Sequence, residues 1–457
     1  MAVQLKTNQS LTLKIKRLGI NGEGIAYYKR LIVFVKGALP KETIIAKITK
    51  ATPRYAEAEL VRVKEASNAR ITPPCPVYEE CGGCQLQHLA YNQQLIFKKD
   101  LLKQALEKYK PKGFQQYELR STLGMENPWR YRNKAQFQLR KIDKTNQVEA
   151  GLYQNNSHHL VPITDCLVQQ PATQQVMNTA VQLLTKYSIP IYNEKKNSGI
   201  LRTLMVRVGI ETGEVQLVLI SKTKKIPQVN AFIRELNQRC TEVVSVMQNI
   251  QDKKTSLIMG DETIHLWGKE TIDEQINQVS FELSARAFFQ LNPSQTKVLY
   301  EEALKALDLK KDKTIVDAYC GVGTIGLSLA DQAKEVRGMD IIPQAIQDAQ
   351  KNASKMGLAN THYEVGSAEE LLPKWLREGF KPDAIIVDPP RTGLDEKILT
   401  AIVKQPSQQL IYISCNVSTL ARDLKPLSEI YNVDYLQSVD MFPQTARCEV
   451  VVKLTKK

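Results

Sequence analysis

The sequence predicts a multidomain protein whose last part is an α/β domain with a doubly wound, mostly parallel sheet. Three observations support this fold class. The chain has 457 residues, enough for about three domains at roughly 100 to 200 residues each. Short strand-like runs fill its first part. From Lys313 onward, the apolar runs TIVDAY, AIIVDP and QLIYIS alternate with helical stretches, which is typical of a parallel sheet.

Composition narrows the class of protein. Hydrophobic residues make up 43% and charged residues 24%, a balance that excludes wholesale disorder. No uncharged apolar run reaches about 18 residues, so no transmembrane helix is expected. The N-terminus has no apolar stretch of the signal-peptide type. We therefore expect a cytoplasmic protein with no membrane partner and no evident obligate protein partner.

The charge is unevenly distributed. The net charge is +14, and residues 1–70 hold 14 Lys or Arg against 5 Asp or Glu, whereas residues 281–457 hold 22 against 23. Excess positive charge favours a polyanionic partner, although a solvated lysine surface would have the same composition. The asymmetry suggests that the front of the chain holds a polyanion while the back performs chemistry.

The first 64 residues read as a small all-β domain. The segments LTLKIKRLG, LIVFVKGAL, ETIIAKIT and EAELVRVKEA have strand patterning, and glycines separate the first two. A small barrel of the oligonucleotide-binding kind fits this pattern. The prolines of ITPPCP then mark a boundary near residue 70.

Residues 70–280 form the predicted central α+β domain, which carries a cysteine cluster. Cys75, Cys81 and Cys84 occur in CPVYEECGGCQ, and Cys166 is the best-placed fourth thiol. Four thiolates suit either tetrahedral zinc or a [4Fe–4S] cluster. Zinc sites more often contain two C-x2-C pairs, so the single pair favours the cluster. A helix is predicted over YNQQLIFKKDLLKQALEKY, at residues 91–109, which we expect to pack with the catalytic domain.

Residues 281–457 form the predicted catalytic domain, with a glycine-rich cofactor loop. Its glycines, in YCGVGTIG, spell G-x-G-x-x-G between a strand and a helix, and Asp340 ends the next strand-like run, placed to bind a ribose. These features fit NAD and S-adenosylmethionine equally well. Asp388 opens a D-P-P segment typical of methyltransferases, in which the carboxylate can accept a hydrogen bond from a nucleobase. The D-P-P segment favours S-adenosylmethionine.

A nucleophile and a base complete the predicted site. Cys415 follows the buried strand QLIYIS, and Glu449 begins another strand in CEVVVKL. A thiolate that adds to C6 of uracil makes C5 nucleophilic, and a carboxylate can then remove the C5 proton. Cys320 and Cys448 are predicted to be packing residues.

These residues together resemble a known family. DPPRTG at 388–393, IYISCNVST at 411–419 and DMFPQTARCE at 440–449 resemble the RNA uracil-5-methyltransferases, as do ARAFFQLN at 285–292 and WRYRNKAQF at 129–137. The resemblance implies a class I, Rossmann-like methyltransferase domain and an N-terminal TRAM barrel. The barrel and the cysteine cluster together are typical of the family's 23S ribosomal RNA enzymes, whereas the tRNA-specific members generally lack both.

The resemblance also implies roles for individual residues. Cys415 is the implied nucleophile and Glu449 the implied base. A [4Fe–4S] centre is implied on Cys75, Cys81, Cys84 and Cys166. The implied S-adenosylmethionine contacts are Gln290, Tyr319, Thr324, Asp340, Ser367 and Asp388, and the expected RNA contacts are Phe288, Arg132 and Lys134. The chain departs from the family at Arg447, usually His, at Cys448, usually apolar, and at Val417, often Pro.

The sequence therefore predicts S-adenosylmethionine-dependent methylation of uridine C5 in 23S rRNA, through a covalent cysteine adduct. The same reaction on tRNA is the nearest alternative. A non-catalytic RNA-binding or assembly factor with the same fold is another, and a NAD-dependent oxidoreductase is disfavoured by the D-P-P and S-C-N segments.

Overall fold

A computed structural model gives the fold of residues 5–155, 157–276, 279–308 and 311–457. Within these ranges the chain forms three large sheets and a two-stranded hairpin. No helix in these ranges is long and apolar enough to cross a membrane.

The first sheet has six strands in the order β1-β5-β6-β4-β3-β2. The strands are β1 (Ser10–Lys14), β2 (Arg17–Leu18), β3 (Gly24–Tyr28), β4 (Leu31–Lys36), β5 (Thr43–Ala51) and β6 (Tyr55–Glu65). Alternate side chains of β1 and β4 are buried, as expected of strands with one face on a core. The strands predicted in this part of the chain are confirmed.

This sheet is fixed to the rest of the molecule by charge and by packing. The Arg70 guanidinium forms two hydrogen bonds with the fully buried Glu42 carboxylate, of 2.5 and 2.8 Å. Leu18 and Leu39 belong to the same hydrophobic cluster as the catalytic sheet. Shared apolar contacts hold the first sheet against the catalytic domain, and the buried ion pair joins the sheet to the segment that leads into the central domain.

The middle of the chain contains α1 (Tyr91–Tyr109), which has the predicted bounds. One face of α1 packs on the catalytic domain through Leu101, Leu102 and Leu106. A seven-stranded sheet follows, in the order β10-β9-β8-β11-β12-β13-β14. Its strands are β8 (Lys134–Lys141), β9 (Val148–Tyr153), β10 (Leu160–Pro162), β11 (Leu201–Val208), β12 (Val215–Ser221), β13 (Val243–Ile250) and β14 (Glu262–Gly268). Helices α2 (Pro171–Lys186) and α3 (Val229–Arg239) pack on it.

The catalytic sheet has eight strands in the order β19-β18-β17-β20-β21-β23-β22-β7, and the hairpin of β15 (Thr271–Ile276) and β16 (Val279–Ser284) precedes it. The strands are β7 (Glu118–Leu119), β17 (Thr314–Ala318), β18 (Glu335–Asp340), β19 (Thr361–Val365), β20 (Ala384–Val387), β21 (Gln409–Ser414), β22 (Tyr431–Val439) and β23 (Glu449–Lys456). The helices are α4 (Pro293–Ala306), α5 (Thr324–Leu329), α6 (Pro343–Lys355), α7 (Ala368–Arg377), α8 (Glu396–Lys404) and α9 (Val417–Ile430).

Strand direction places the site. β19, β18, β17, β20 and β21 are parallel, as predicted, whereas β23 is antiparallel to β21 and to β22. Loops that follow parallel strands gather at one edge of an open sheet, where such sheets bind ligands. Because β23 runs the other way, its first residue lies at that same edge.

Candidate active site

The strand register brings the predicted nucleophile and base together. Ser414 of β21 pairs with Val450 of β23 in an antiparallel ladder. Cys415 follows Ser414 and Glu449 precedes Val450, so the two lie opposite each other where the ladder ends. Directly opposed residues of an antiparallel pair have Cα atoms about 4.5 to 5.5 Å apart.

The loop around Cys415 is held by side chains on both sides of it. The Asn416 carboxamide accepts a hydrogen bond from the Ser418 main-chain N–H at 3.1 Å, which caps α9. Its Nδ2 donates to the Arg391 carbonyl at 2.9 Å. Thr419 Oγ1 donates to the same carbonyl at 3.3 Å. The S-C-N loop is thereby joined to the loop that follows D-P-P.

Cys415, Glu449 and Asp388 interact electrostatically. Burial, with Glu449 and Asp388 nearby, raises the pKa of Cys415 to about 12, while Arg391 acts in the opposite direction. Burial and the Asp388 carboxylate raise the pKa of Glu449 well above its usual value. Burial raises the pKa of Asp388 to about 7. The site therefore disfavours negative charge until a cation or a substrate compensates it.

A cavity of about 90 Å³ lies in front of Cys415. Arg391, Asn416 and Arg447 supply polar walls, and Leu101, Val417 and Ala446 supply apolar ones. Ile20 and Asn21, from the turn between β2 and β3, border the cavity as well. Cys448 borders the cavity but is itself buried, and Cys320 is buried in a separate hydrophobic cluster, as expected for packing residues.

The glycine-rich loop joins β17 to α5 at the same edge of the sheet. Gly323 has a φ of +80°, and a Cβ there would lie 2.9 Å from the Tyr363 hydroxyl oxygen, so only glycine fits. The Asp340 carboxylate accepts hydrogen bonds from the Gly321 N–H at 3.1 Å and the Ile342 N–H at 2.9 Å. Each of its oxygens keeps a lone pair for another donor.

The other predicted cofactor residues surround this loop. Tyr319 has a φ of +66°, and its hydroxyl donates to Glu369 at 2.7 Å. Thr324 begins α5, and Ser367 is the residue before α7. Gln290 lies before α4, where its carbonyl accepts a hydrogen bond from Asn133 Nδ2 at 3.1 Å. All of these predicted cofactor residues except Gln290 follow or end parallel strands of this sheet, as does Asp388. Gln290 belongs to the segment between β16 and α4.

Two residues beside the cofactor loop, Asp317 and Ile341, were not found by sequence reasoning. Asp317 is buried inside β17, accepts the Gly326 N–H at 2.8 Å, and has its pKa raised to about 7 by burial. Ile341, which directly follows Asp340, is 68% exposed. In the sequence, Ile341 could have been recognised as the first of two apolar residues directly after Asp340. Asp317 could have been recognised, less clearly, as an acidic residue within an apolar strand.

The four predicted cysteine ligands line a single cavity of the central domain. Burial raises the pKa of Cys84 to about 12 and raises the pKa values of Cys81 and Cys166. Within the described ranges, no group of three or more His, Cys, Asp or Glu side chains forms a site that could hold a metal ion.

Arg132, an expected RNA contact, lies at this same cysteine cavity. Its Nε is buried and has no hydrogen-bond partner in the part of the chain that the structure describes. The guanidinium also lies over the Phe442 ring, 5.7 Å from its centroid.

Lys134 is half-buried, and burial together with Arg207 lowers its pKa to about 7. Of the three expected RNA contacts, Phe288 is the most exposed, at 58%.

Comparison with known proteins adds independent information. Residues 90–457 match the family model described as tRNA (uracil-5-)-methyltransferase, and residues 4–61 match the TRAM domain. A protein described as an uncharacterized RNA methyltransferase from Enterococcus faecalis is 69% identical over 99% of both chains. Another with that description, from Listeria innocua, is 53% identical over the same shares.

A solved structure covers nearly the whole fold. The Pyrococcus abyssi tRNA (uracil-54, C5)-methyltransferase in complex with S-adenosyl-L-homocysteine superposes with a TM-score of 0.77 and 26% identity. The match covers 97% of this chain and 99% of that one.

Proposed function

The chain belongs to the tRNA (uracil-5-)-methyltransferase family, and from that premise we propose that it methylates C5 of a uridine in 23S rRNA through a covalent cysteine adduct. The observation that carries the proposal is the register of β21 and β23, which sets Cys415 opposite Glu449 beside Asp388. The members of this family are S-adenosylmethionine-dependent RNA methyltransferases, so the proposal concerns the mechanism and the RNA.

Cys415 performs the first step. Its thiolate adds to C6 of the uracil, the S–C6 bond forms, and the C5=C6 electrons move toward O4 as an enolate. C5 is then nucleophilic enough to take up a methyl group. The raised pKa of the thiol means that it must lose its proton when RNA binds, and the Arg391 cation favours that loss.

Glu449 performs the last step. Its carboxylate takes the C5 proton, the C5=C6 double bond re-forms, and the S–C6 bond breaks to release the thiolate. Because burial and Asp388 raise the pKa of Glu449, its carboxylate is a stronger base than an exposed one. A buried base also keeps bulk water away from the adduct.

S-adenosylmethionine supplies an electrophilic methyl group when it is bound. The residues proposed to hold it are Gln290, Tyr319, Thr324, Asp340, Ser367 and Asp388. The free lone pairs of Asp340 fit ribose hydroxyls. The exposed Ile341 side chain fits the apolar face of an adenine ring.

The choice of 23S rRNA rests on the TRAM domain and the cysteine motif, which the family's ribosomal enzymes typically combine. The tRNA enzyme from Pyrococcus abyssi favours a second candidate, the same reaction on tRNA, because its match covers 97% of this chain. Overall architecture therefore does not separate the two substrates. A positive RNA surface is expected for either one.

Mapping 5-methyluridine separates them. Total RNA from cells with and without this protein is digested and analysed by mass spectrometry, 23S rRNA and tRNA separately. Loss of 5-methyluridine from 23S rRNA alone is the expected result. Loss from tRNA alone would make the second candidate correct. Unchanged RNA in both pools, together with RNA binding by the purified protein, would favour a non-catalytic factor.

The cysteine cavity is proposed to hold a [4Fe–4S] cluster on Cys75, Cys81, Cys84 and Cys166. The four thiols line one cavity. Tetrahedral zinc sites more often contain two C-x2-C pairs, and this chain has a single pair, so the cysteine spacing favours the cluster over zinc. The Arg132 guanidinium, whose buried Nε has no hydrogen-bond partner among the described residues, would compensate the negative charge of such a group.

Iron and labile sulfide analysis of protein purified without oxygen tests the cluster. About four irons and visible absorbance are expected, and Cys84→Ser should lose both. Zinc in stoichiometric amount without iron would contradict the proposal.

All eight cysteines are unpaired, which supports the proposed cytoplasmic location, since reducing compartments keep thiols free.

RNA is proposed to contact the exposed Phe288 by stacking, together with Lys134 and the TRAM domain. Arg132 is expected to act on RNA only indirectly, from its place at the cysteine cavity.

One main-chain hydrogen bond supports closure of the TRAM sheet into a barrel. The Lys16 N–H donates to the Ile25 carbonyl at 2.8 Å and so joins the segment after β1 to β3.

A further inference from the structure

The turn between β2 and β3 of the TRAM domain reaches the catalytic cavity. Ile20 and Asn21 line the same space as Cys415, although about 400 residues separate them in sequence. The domain is therefore part of the wall around the nucleophile. A domain that only tethered RNA would have no need to approach this cavity.

The turn is firmly held. The Asn21 N–H donates to Glu23 Oε2 at 2.9 Å, and the Gly19 N–H donates to the Glu23 carbonyl at 2.7 Å. Gly22 has a φ of +83°, and a Cβ there would lie 3.0 Å from Leu86 Cδ2 and 3.5 Å from Ala446 Cβ. The turn is thus packed between the cysteine-rich segment and the loop that leads to Glu449.

Ile20 is the unexpected side chain of this turn. It is apolar and 44% exposed, and it is absent from the described hydrophobic clusters, whereas Leu18 nearby is buried in one. It faces a cavity whose other walls include Arg391, Asn416 and Arg447. An exposed apolar side chain beside the Arg391 and Arg447 cations suits contact with a nucleobase bordered by phosphates.

We propose that Ile20 is a wedge that packs against the nucleotide next to the target uridine once the target base has left the RNA stack. The inference rests on the proposed function. Cys415 is only partly exposed, so a stacked or paired uridine cannot present C6 to it, and the base has to leave its helix. An apolar side chain inserted at the vacated step compensates for lost stacking.

The test compares two RNAs and two exposed apolar residues of the same sheet. One RNA is a short hairpin with the mapped target uridine paired in its stem, and the other is an unstructured strand with the same flanking nucleotides. Val61→Ala is the matched control, because Val61 is 57% exposed on β6 and does not line the cavity. Methyl transfer is measured as kcat/KM from labelled S-adenosylmethionine.

Ile20→Ala is expected to lower kcat/KM on the hairpin by roughly tenfold and to leave the unstructured strand within about twofold. Ile20→Leu should restore most activity, and Val61→Ala should change neither RNA. Equal rates for Ile20→Ala and Val61→Ala on the hairpin would overturn the proposal, as would an equal loss on both RNAs. Wild-type protein that methylates neither RNA would overturn the proposed function and this inference together.

Discussion

Asn416 Nδ2 donates a 2.9 Å hydrogen bond to the main-chain carbonyl of Arg391. This contact, together with the hydrogen bond from Thr419 Oγ1 to the same carbonyl, joins the loop that carries the nucleophile to the loop that follows D-P-P. The Asn416 side chain also caps α9 through Ser418. One residue therefore fixes both the start of a helix and the position of Cys415 relative to the Arg391 cation.

Substitutions at Asn416 should separate these two roles. Asn416→Ala loses both and should lower the free energy of unfolding by about 1 kcal/mol. Asn416→Ser keeps a capping oxygen but has no group long enough to replace the amide donor, so its stability should stay near wild type. Both should lose roughly tenfold or more in methyl transfer, because misplacement of a reacting group is costly. Wild-type turnover in a stable Asn416→Ser protein would show that the contact does not position the nucleophile.

The Cys415 thiol should react slowly without RNA. Its pKa of about 12 leaves little thiolate at neutral pH. As long as the pH is below the pKa, each increase of one pH unit raises the thiolate fraction about tenfold. Alkylation by iodoacetamide, followed at this residue by peptide mass spectrometry, should rise steadily between pH 7 and pH 9. Arg391→Gln removes the cation that opposes the raised pKa and should slow alkylation further. A rate that levels off below pH 8 would contradict the assigned environment.

Lys98 and Asp440 form a fully buried ion pair beneath the loop that leads to Glu449. Lys98 also donates to the Phe442 carbonyl at 3.1 Å, and Tyr91 donates to Asp440 at 2.9 Å. Asp440→Asn leaves a buried cation without its counter-charge and should cost about 3 to 5 kcal/mol of unfolding free energy.

Denaturant unfolding provides the measurement, and two controls accompany it. Adding Lys98→Met to Asp440→Asn removes the stranded cation and should recover much of the loss. Glu429→Gln breaks the exposed Lys112–Glu429 pair and should have little effect. A similarly small effect of Asp440→Asn would mean that the buried pair does not hold the loop.

The cofactor loop should not tolerate a side chain at Gly323. Alanine there combines a φ of +80° with a Cβ 2.9 Å from the Tyr363 hydroxyl, so the loop must shift. Affinity for S-adenosylhomocysteine, measured by titration calorimetry, should fall by roughly tenfold or more. Gly357→Ala is the control, because its φ is +68° but no atom lies within 4 Å of the added Cβ. Equal affinities in the two variants would show that Gly323 does not shape the cofactor site.

Sequence reasoning was strongest where one stretch of chain contains the whole signal. The bounds of α1 followed from a helical pattern, and the glycine loop lies between a strand and a helix as expected. Cys415 and Glu449 could be assigned because each stands at a strand end. Their opposition depends on the antiparallel insertion of β23, which the local pattern of either strand does not encode.

Long-range contacts were beyond local patterns. The Lys98–Asp440 pair joins residues 342 positions apart, and each looks like an ordinary surface charge in sequence. Arg132 was expected to contact RNA, yet its side chain lies at the cysteine cavity. Nothing in the sequence marked Ile20 as a residue of the catalytic cavity, apart from its being an apolar residue in a turn. In each case the decisive neighbour lies outside the local stretch of sequence.

The most direct test of the account is whether Cys415 forms a covalent bond with the target uridine. RNA carrying 5-fluorouridine at the mapped position is incubated with protein and S-adenosylmethionine, and the denatured complex is analysed by peptide mass spectrometry. Fluorine at C5 cannot leave as a proton does, so the adduct should persist, with one RNA and one added methyl group on the peptide containing Cys415. Cys415→Ser should give none. No adduct with RNA that the wild-type protein methylates, or an adduct at another cysteine, would contradict the mechanism.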